Sequence, residues 1–321
     1  MCTALSLTTG GRHLFCRTLD YERSFGEELL FIPRGYKDDG RARFLRRFAY
    51  LGMGCLIDGY PLMFDGVNEH GLCTAGLSFN GDAVYREKRE ERVNIPSYAL
   101  TDRILSTCAS VAEARALLEN GNITDEPFNE GTPPSPLHWI ISDSTGSIVV
   151  ESTEDGLHIY DSHVGVLTNS PEYSYHLTGL AHYSYLSSEY RTNTLCPSVE
   201  LRAYSRGLGA FGMPGDFSSH SRFVRAVFLK NHTESEYGGD GLSTAFRVMD
   251  NLSVPKGTVK TDKGEGVLTF YTAVIDSIRG IYYFSTCKNR RIRACNMQTL
   301  VYTNNLLRFS VYENEDVLFI N

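Results

Sequence analysis

The order of strand-like and helix-like segments limits the folds open to this chain. Apolar or alternating runs, which predict strands, form three groups, and two groups of segments with helical spacing separate them. The strand groups lie within 2–79, 137–168 and 270–297, and the helical groups lie within 96–120 and 221–252. A parallel sheet wound by helices would instead alternate single strands with single helices. The order therefore predicts an α+β architecture of two sheets with helix layers.

The first twenty residues predict a β-hairpin that begins at a cysteine. Residues 2–7 form one strand, 8–11 form a glycine-containing turn, and 13–18 return. This pairing is expected to place Cys2 near Arg17 and Asp20 across the ladder. Further along, a long loop is predicted between the strands 50–57 and 72–79.

Local signals predict the boundaries of the first helical group. Ser110 and Glu113 have the spacing of a capping box, which starts a helix. Gly121 stands just past the last periodic residue, where a helix commonly ends. No repeat, low-complexity tract or Pro/Ser-rich linker interrupts the 321 residues, so we expect a single domain over 1–321.

Composition argues against several classes of partner. With a net charge of −7 and no basic run, nucleic acid and anionic membrane surfaces are poor partners. The sequence contains no stretch of 18 apolar residues, so it predicts no transmembrane helix. Its start does not have the pattern of a signal peptide, so a cytoplasmic location is expected. The eight cysteines contain no C-x-x-C pair and the nine histidines no H-x-x-x-H spacing. This pattern favours reduced core cysteines and predicts no metal and no cofactor.

Cys2 directly follows the initiator methionine, and it is small enough for an aminopeptidase to remove Met1. Removal would leave one residue with both a thiol and a free α-amino group. The α-amine has a pKa of roughly 7.7–8.0, so a useful fraction is neutral near pH 7 and can act as a base for the thiol. The alternative is that Cys2 is an ordinary, inert residue of the first strand.

Several fragments together resemble the choloylglycine hydrolase family, which contains bile salt hydrolases and penicillin V acylases. The resemblance spans nearly the whole chain and is strongest to bile salt hydrolases of Gram-positive gut bacteria. Its fragments include Met1-Cys2-Thr3, Leu51-Gly52-Met53-Gly54, Asn68-Glu69-His70-Gly71-Leu72, Leu137-His138-Trp139-Ile140-Ile141-Ser142-Asp143, Thr168-Asn169-Ser170-Pro171 and Ser221-Arg222-Phe223. The resemblance implies an N-terminal nucleophile hydrolase with a four-layer αββα sandwich of two antiparallel sheets.

The resemblance also implies roles for five residues. Cys2 is the nucleophile, Arg17 lies beside its thiol, and Asp20 orients the α-amine. Asn169 donates its side-chain N–H to the oxyanion hole, and Arg222 lies near the catalytic centre. Read without the family, Arg17 and Arg222 are surface charges, and Asp20 and Asn169 are turn residues.

Ser78 departs from the family pattern, since bile salt hydrolases usually carry Asn there and penicillin V acylases Tyr. A serine hydroxyl donates one hydrogen bond and has a shorter reach than an Asn side chain. The backbone N–H at this position can still serve the oxyanion. Asn80, two residues on, is expected on the same strand face as a substitute.

The resemblance implies that the chain hydrolyses the amide of glycine- or taurine-conjugated bile acids through a thioester on Cys2. An apolar acid needs an apolar pocket, and the expected walls are Tyr60, Leu62, Met63, Phe64, Phe128 and Leu137. The alternatives are a penicillin V acylase and an inactive homologue that binds amphipathic ligands. By analogy with the family, a homotetramer is expected.

Overall fold

The computed structural model describes residues 1–38, 40–234, 239, 241–300 and 305–321. Its strands are β1 (Cys2–Thr9), β2 (Arg12–Tyr21), β3 (Glu28–Ile32), β4 (Tyr50–Ile57), β5 (Tyr60–Met63), β6 (Asp65–Asn68), β7 (Cys73–Ser78), β8 (Val93–Pro96), β9 (Gly121–Thr124), β10 (Leu137–Asp143), β11 (Gly146–Thr153), β12 (Gly156–Asp161), β13 (Val166–Leu167), β14 (Leu268–Asp276), β15 (Ile281–Thr286), β16 (Asn289–Asn296) and β17 (Leu307–Ser310). Its α-helices are α1 (Leu100–Thr107), α2 (Val111–Glu119), α3 (Tyr173–Gly179), α4 (Ser219–His232) and α5 (Leu242–Asp250).

Two antiparallel sheets form the middle of the molecule. The first sheet has the strand order β13-β1-β2-β14-β15-β16, and the second has the order β12-β11-β10-β7-β6-β4-β3-β17 with β5 paired to β4. Helices α4 and α5 pack against the first sheet, and α1 and α2 pack against the second. The predicted αββα sandwich is therefore confirmed.

Apolar side chains hold these layers together. One cluster joins buried residues of both sheets, including Leu5, Phe15, Leu51 and Ile140. A second cluster lies where α1 and α2 cover the second sheet. Burial of this apolar surface is the main term that favours folding. In the described part of the chain, no helix is both long and apolar enough to cross a membrane.

The predicted N-terminal hairpin is present, and its strands are longer than predicted. Gly10 and Gly11 take positive φ values of 57° and 72°, as a tight hairpin turn requires. In the ladder Cys2 lies opposite Leu19, which is two residues from Arg17. Because side chains alternate between faces, Cys2 and Arg17 share one face and Asp20 points to the other. The ladder thus brings Arg17, but not the Asp20 carboxyl, to the side of the thiol.

The prediction of a long loop between residues 57 and 72 is wrong, because this segment contains the strands β5 and β6. Asp58 and Gly59, at φ values of 50° and 74°, connect β4 to β5 as a two-residue hairpin turn. Asp-Gly between apolar runs is a strong hairpin signal that the prediction overlooked. The strands β8, β9 and β17 were also not predicted.

The helix boundaries follow the predicted capping box. The Ser110 side chain accepts a hydrogen bond from the Glu113 N–H at 3.2 Å. The Glu113 carboxylate accepts from the Ala109 N–H at 2.9 Å, one residue before the cap. Gly121 follows the end of α2 as expected, but it begins β9 rather than a left-handed cap.

Candidate active site

The thiol of Cys2 lies among the buried side chains between the two sheets, where Cys2 is 3% exposed. Arg17 donates from Nη2 to Cys2 Sγ over 3.6 Å. The hairpin register explains this contact, because Arg17 is the diagonal neighbour of Cys2 on the same face. A fixed cation beside a cysteine stabilises its thiolate form.

Arg17 is held in place by partners from both sheets. Its guanidinium donates to Asp65 Oδ2 at 2.8 Å, to the Tyr271 hydroxyl at 2.6 Å and to the Gly76 carbonyl at 3.3 Å. Burial by itself disfavours the charged form, but Tyr271, Cys2 and Asp65 outweigh it and raise the pKa of Arg17 well above its ordinary value. The side chain therefore remains a cation, and its position is fixed.

Asp65 is the buried carboxylate that links the two sheets behind Arg17. Besides Arg17, it accepts hydrogen bonds from the hydroxyls of Tyr271 and Tyr282, each at 2.6 Å. A register shift in β14 between Thr269 and Tyr271 allows Thr269 to pair with Asp20 while Tyr271 pairs with Leu19. Sequence analysis missed Asp65, although a single carboxylate within the otherwise apolar run 60–67 was a signal.

Asn169 contacts the backbone of Cys2 with its side-chain amide. Its Oδ1 accepts from the Cys2 N–H at 2.9 Å and from Arg222 Nη2 at 2.6 Å, and its Nδ2 donates to the Ser78 carbonyl at 2.8 Å. Since Cys2 N and Arg222 can only donate, the amide oxygen must face them. Pairing of Ala4 with Leu167 explains the location, because continuing that register sets Asn169 opposite Cys2.

The backbone of Asn169 is fixed by two further side chains. Ser219 Oγ accepts from the Asn169 N–H at 2.9 Å and donates to its carbonyl at 2.8 Å. His176 Nε2 lies 2.8 Å from the same carbonyl. Burial lowers the pKa of His176 to about 4, so the neutral ring donates this bond from Nε2. Ser219 lies 50 residues from Asn169, and nothing in the local sequence pointed to it.

Arg222 lies in the first turn of α4 and reaches the chain start from the outer face of the first sheet. It donates to the Cys2 carbonyl, to Thr3 Oγ1 at 2.7 Å and to the Phe217 carbonyl at 3.0 Å. Burial lowers the pKa of Arg222, and the negative charge of Asp20 opposes this effect. Arg222 is fully buried, which excludes the alternative reading of this residue as a surface charge.

Asp20 lies on the same outer face as Arg222. Its carboxylate accepts from Thr269 Oγ1 at 2.6 Å and from Thr18 Oγ1 at 3.2 Å, while its backbone carbonyl accepts from the Met1 amine at 2.8 Å. Burial raises the pKa of Asp20, and the charge of Arg222 and the Thr269 hydrogen bond oppose the rise. The Asp20 carboxylate and the Cys2 thiol therefore lie on opposite faces of the β1–β2 hairpin.

Ser78 is the last residue of β7, and its carbonyl is the one bound by Asn169. Asn80 lies in the turn beyond the strand with an exposed side chain, and its carbonyl accepts from Ser170 Oγ at 2.8 Å. Because the strand ends at Ser78, the expectation that Asn80 shares its strand face does not hold.

The six predicted pocket residues are separated by the fold. Phe64 packs against the cluster that contains Cys2. Tyr60 and Phe128 are buried in the helix-side cluster with ring centroids 5.8 Å apart, and Leu62 and Leu137 pack against that cluster. Met63 belongs to a third cluster with Leu105 of α1. A pocket role for the six remains a prediction, and the packing favours Phe64.

Two aromatic residues that sequence analysis missed extend from Phe64. The Phe25 ring lies 5.6 Å from the Phe64 ring and 4.7 Å from the Tyr21 ring, centroid to centroid. Tyr21 shares the β2 face of Leu19, which is the face that bears the thiol. Phe25 is 44% exposed, so this aromatic row leads from the thiol layer to the surface.

Comparisons with known proteins agree with this geometry. The family described as linear amide C–N hydrolases, choloylglycine hydrolase family, matches residues 2–306. The bile salt hydrolase/transferase of Clostridium perfringens is 38% identical over 304 residues, which are 92% of each chain. The bile salt hydrolase/transferase of Lactiplantibacillus plantarum is 37% identical over 300 residues, which are again 92% of each chain.

Solved structures show the same fold. The C2A mutant of the conjugated bile acid hydrolase from Clostridium perfringens matches with a TM-score of 0.94 and 36% identity over 100% of both chains. The penicillin V acylase of Agrobacterium tumefaciens matches with a TM-score of 0.76 over 97% of this chain and 91% of the other. At 22% identity, the second match shows the fold alone.

Proposed function

The chain belongs to the choloylglycine hydrolase family of linear amide C–N hydrolases, and we propose that it cleaves the amide bond of glycine- or taurine-conjugated bile acids with Cys2 as the nucleophile. The contact between Arg17 and the Cys2 sulfur, 3.6 Å long and buried, carries this proposal. The names of two relatives at 37–38% identity support the substrate class.

Removal of Met1 is the first requirement of the mechanism. In the unprocessed chain the Cys2 nitrogen is an amide that donates to Asn169 Oδ1 and cannot act as a base. Cleavage turns it into a free amine next to the thiol of the same residue. It also removes the half-buried Met1 side chain that precedes the thiol. Asn169 Oδ1, which already accepts from this nitrogen, orients the amine, and we assign the same role to the Asp20 carboxylate.

Acylation then proceeds at this single residue. The amine takes the thiol proton, and the Cys2 sulfur attacks the carbonyl carbon of the substrate amide. The Nδ2 group of Asn169 carries two hydrogens. The first is donated to the Ser78 carbonyl, and the second is donated to the oxyanion. When the carbon–nitrogen bond breaks, the amine returns the proton to the nitrogen of glycine or taurine, and a thioester remains.

Hydrolysis of the thioester repeats these steps with water. The free amine takes a proton from water as the hydroxyl oxygen attacks the thioester carbon. The carbon–sulfur bond breaks, the protonated amine returns its proton to the sulfur, and the bile acid leaves and loses its carboxyl proton to water. Arg17 stabilises the departing thiolate, and Asn169 again serves the oxyanion.

An apolar wall for the acyl group is supplied by Tyr21, Phe25 and Phe64. These rings lie in a continuous row on the thiol side of the first sheet and reach the surface at Phe25. Aromatic side chains present large apolar surfaces, as a pocket for a rigid hydrocarbon skeleton requires.

The proposal is tested with protein whose intact mass shows loss of Met1. Glycocholate, taurocholate and penicillin V are compared side by side for hydrolysis. We expect both bile salts to be cleaved faster than penicillin V and Cys2→Ala to abolish cleavage of all three. Cys196→Ala, at a partly exposed cysteine elsewhere, is the matched control and keeps full activity. Faster cleavage of penicillin V would reverse the substrate assignment, and hydrolysis by Cys2→Ala would end the mechanism.

Two further expectations accompany this proposal. Protein that retains Met1 and only binds bile salts would favour the inactive homologue.

Assembly into a tetramer is supported by large exposed side chains in the segment 190–211, where Leu195 is 88% and Tyr204 84% exposed. Light scattering during size-exclusion chromatography tests it, and a monomer at micromolar concentration would refute it.

A further inference from the structure

Four arginines line a single cleft on this acidic protein. The cleft has a volume of about 450 Å³ and lies between the C-terminal end of α2, strand β9 and β12, which is an edge strand of the second sheet. Arg86, Arg89, Arg92 and Arg115 contribute to its lining, and Glu119 is the acidic residue there. The lining thus carries four cations and one carboxylate, although the net charge of the chain is −7.

Three of these arginines are not neutralised by a carboxylate. Arg115 forms an ion pair with Asp161. Arg86 and Arg92 donate to backbone carbonyls instead, and Arg89 is exposed. Among the described residues, no carboxylate oxygen lies within 4.0 Å of a guanidinium nitrogen of these three. Their combined charge therefore favours an anion in the cleft.

Four of the residues around the cleft are aliphatic, and the accessible part of this floor consists of Leu157 and Ile159. Leu118 and Ile123 are buried at 0% and 2% exposure, and Leu157 and Ile159 are half-buried. All four contribute to the lining. A volume of this size is in the range of sites for small organic molecules. An aliphatic floor below guanidinium groups gains little from a bare inorganic ion, which would leave the floor uncovered.

We propose that this cleft binds an amphipathic anion, with a carboxylate or sulfonate on the guanidinium groups and a rigid aliphatic body on the floor formed by Leu157 and Ile159. Guanidinium groups match the two or three oxygens of such anions by paired hydrogen bonds. The site is distinct from the Cys2 site, because none of the residues assigned to catalysis lines it.

Calorimetric titration with cholate below its micelle concentration tests the proposal, since cholate has no amide bond to be hydrolysed. We expect two binding events in the native protein. The double variant Arg89→Gln/Arg92→Gln weakens one event by roughly tenfold and leaves taurocholate hydrolysis unchanged. Raising the salt concentration weakens the same event. Lys88→Gln is the matched control, because Lys88 pairs with Glu126 and does not line the cleft.

Several results would overturn the proposal. They are the absence of any cholate-binding event that the double variant weakens, or an equal loss in Lys88→Gln. Displacement of cholate by an equal concentration of sulfate would show that the apolar floor contributes nothing. If neutral octyl glucoside bound as tightly as cholate, the arginines would contribute nothing to binding. Arg89→Gln alone keeps the test intact if the double variant does not fold, since the Arg89 side chain makes no hydrogen bond or ion pair with the described residues. Failure to hydrolyse bile salts would not affect this event.

Discussion

Replacement of Asn169 by alanine separates its proposed catalytic role from its structural role. The side chain makes three contacts, to the Cys2 nitrogen, to Arg222 and to the Ser78 carbonyl. Loss of an oxyanion donor typically costs about 2.7–4 kcal/mol, which is a fall of about 10²- to 10³-fold in kcat. Loss of an acceptor for the buried Arg222 costs about 1–3 kcal/mol of folding free energy.

We therefore expect Asn169→Ala to lower kcat for taurocholate by about 10²- to 10³-fold, with KM changed only a few-fold. Steady-state hydrolysis at 25 °C measures the kinetic effect, and urea unfolding measures the loss of stability. Asn80→Ala is the matched control, because this nearby Asn has an exposed side chain, and it should retain at least half of the activity. The reasoning is refuted if folded Asn169→Ala retains more than a tenth of the native kcat.

Three other substitutions test the electrostatics of the site. Thr269→Val removes a hydrogen bond that lowers the pKa of Asp20, so the acid limb of kcat/KM moves to higher pH; an unshifted limb would show that the Asp20 carboxylate is not required. The pKa of His176 is about 4 when folded and roughly 6.5 when unfolded. The unfolded chain therefore binds the extra proton, and stability falls by at most about 3 kcal/mol as pH drops from about 6.5 to about 4. His176→Gln should flatten this dependence in urea unfolding, and an unaltered slope would contradict the assignment. Arg17→Met leaves Asp65 with its tyrosine partners but removes the cation beside the thiol, so alkylation of the N-terminal cysteine by iodoacetamide at pH 7 should slow by roughly tenfold. An equal rate, measured by peptide mass spectrometry, would remove Arg17 from the mechanism.

Short-range features of the site were predictable. The glycines of the first turn and the alternation of side chains along two adjacent strands bring Arg17 beside Cys2. These features act within twenty residues, where the pairing register is set by the turn. The family fragments added Asn169 and Arg222, which the structure places at the Cys2 backbone.

Other features depended on long-range packing. The predicted pocket residue Tyr60 lies in the helix-side core because the Asp58–Gly59 turn, which was not recognised, sets the faces of β5. The Asp20 carboxylate lies on the outer face of the first sheet because side chains alternate along β2. The prediction did not take this alternation into account.

The order of strands and helices by itself predicted the layered architecture, and the family fragments, rather than Cys2 alone, pointed to Cys2 as the nucleophile. Tertiary structure alone decided what surrounds that nucleophile. Asp65 and Tyr271 meet Arg17 across 48 and 254 residues, and Ser219 reaches Asn169 across 50. Local propensities act over a few residues, so they carry no information about which distant side chains the packing of two sheets brings together.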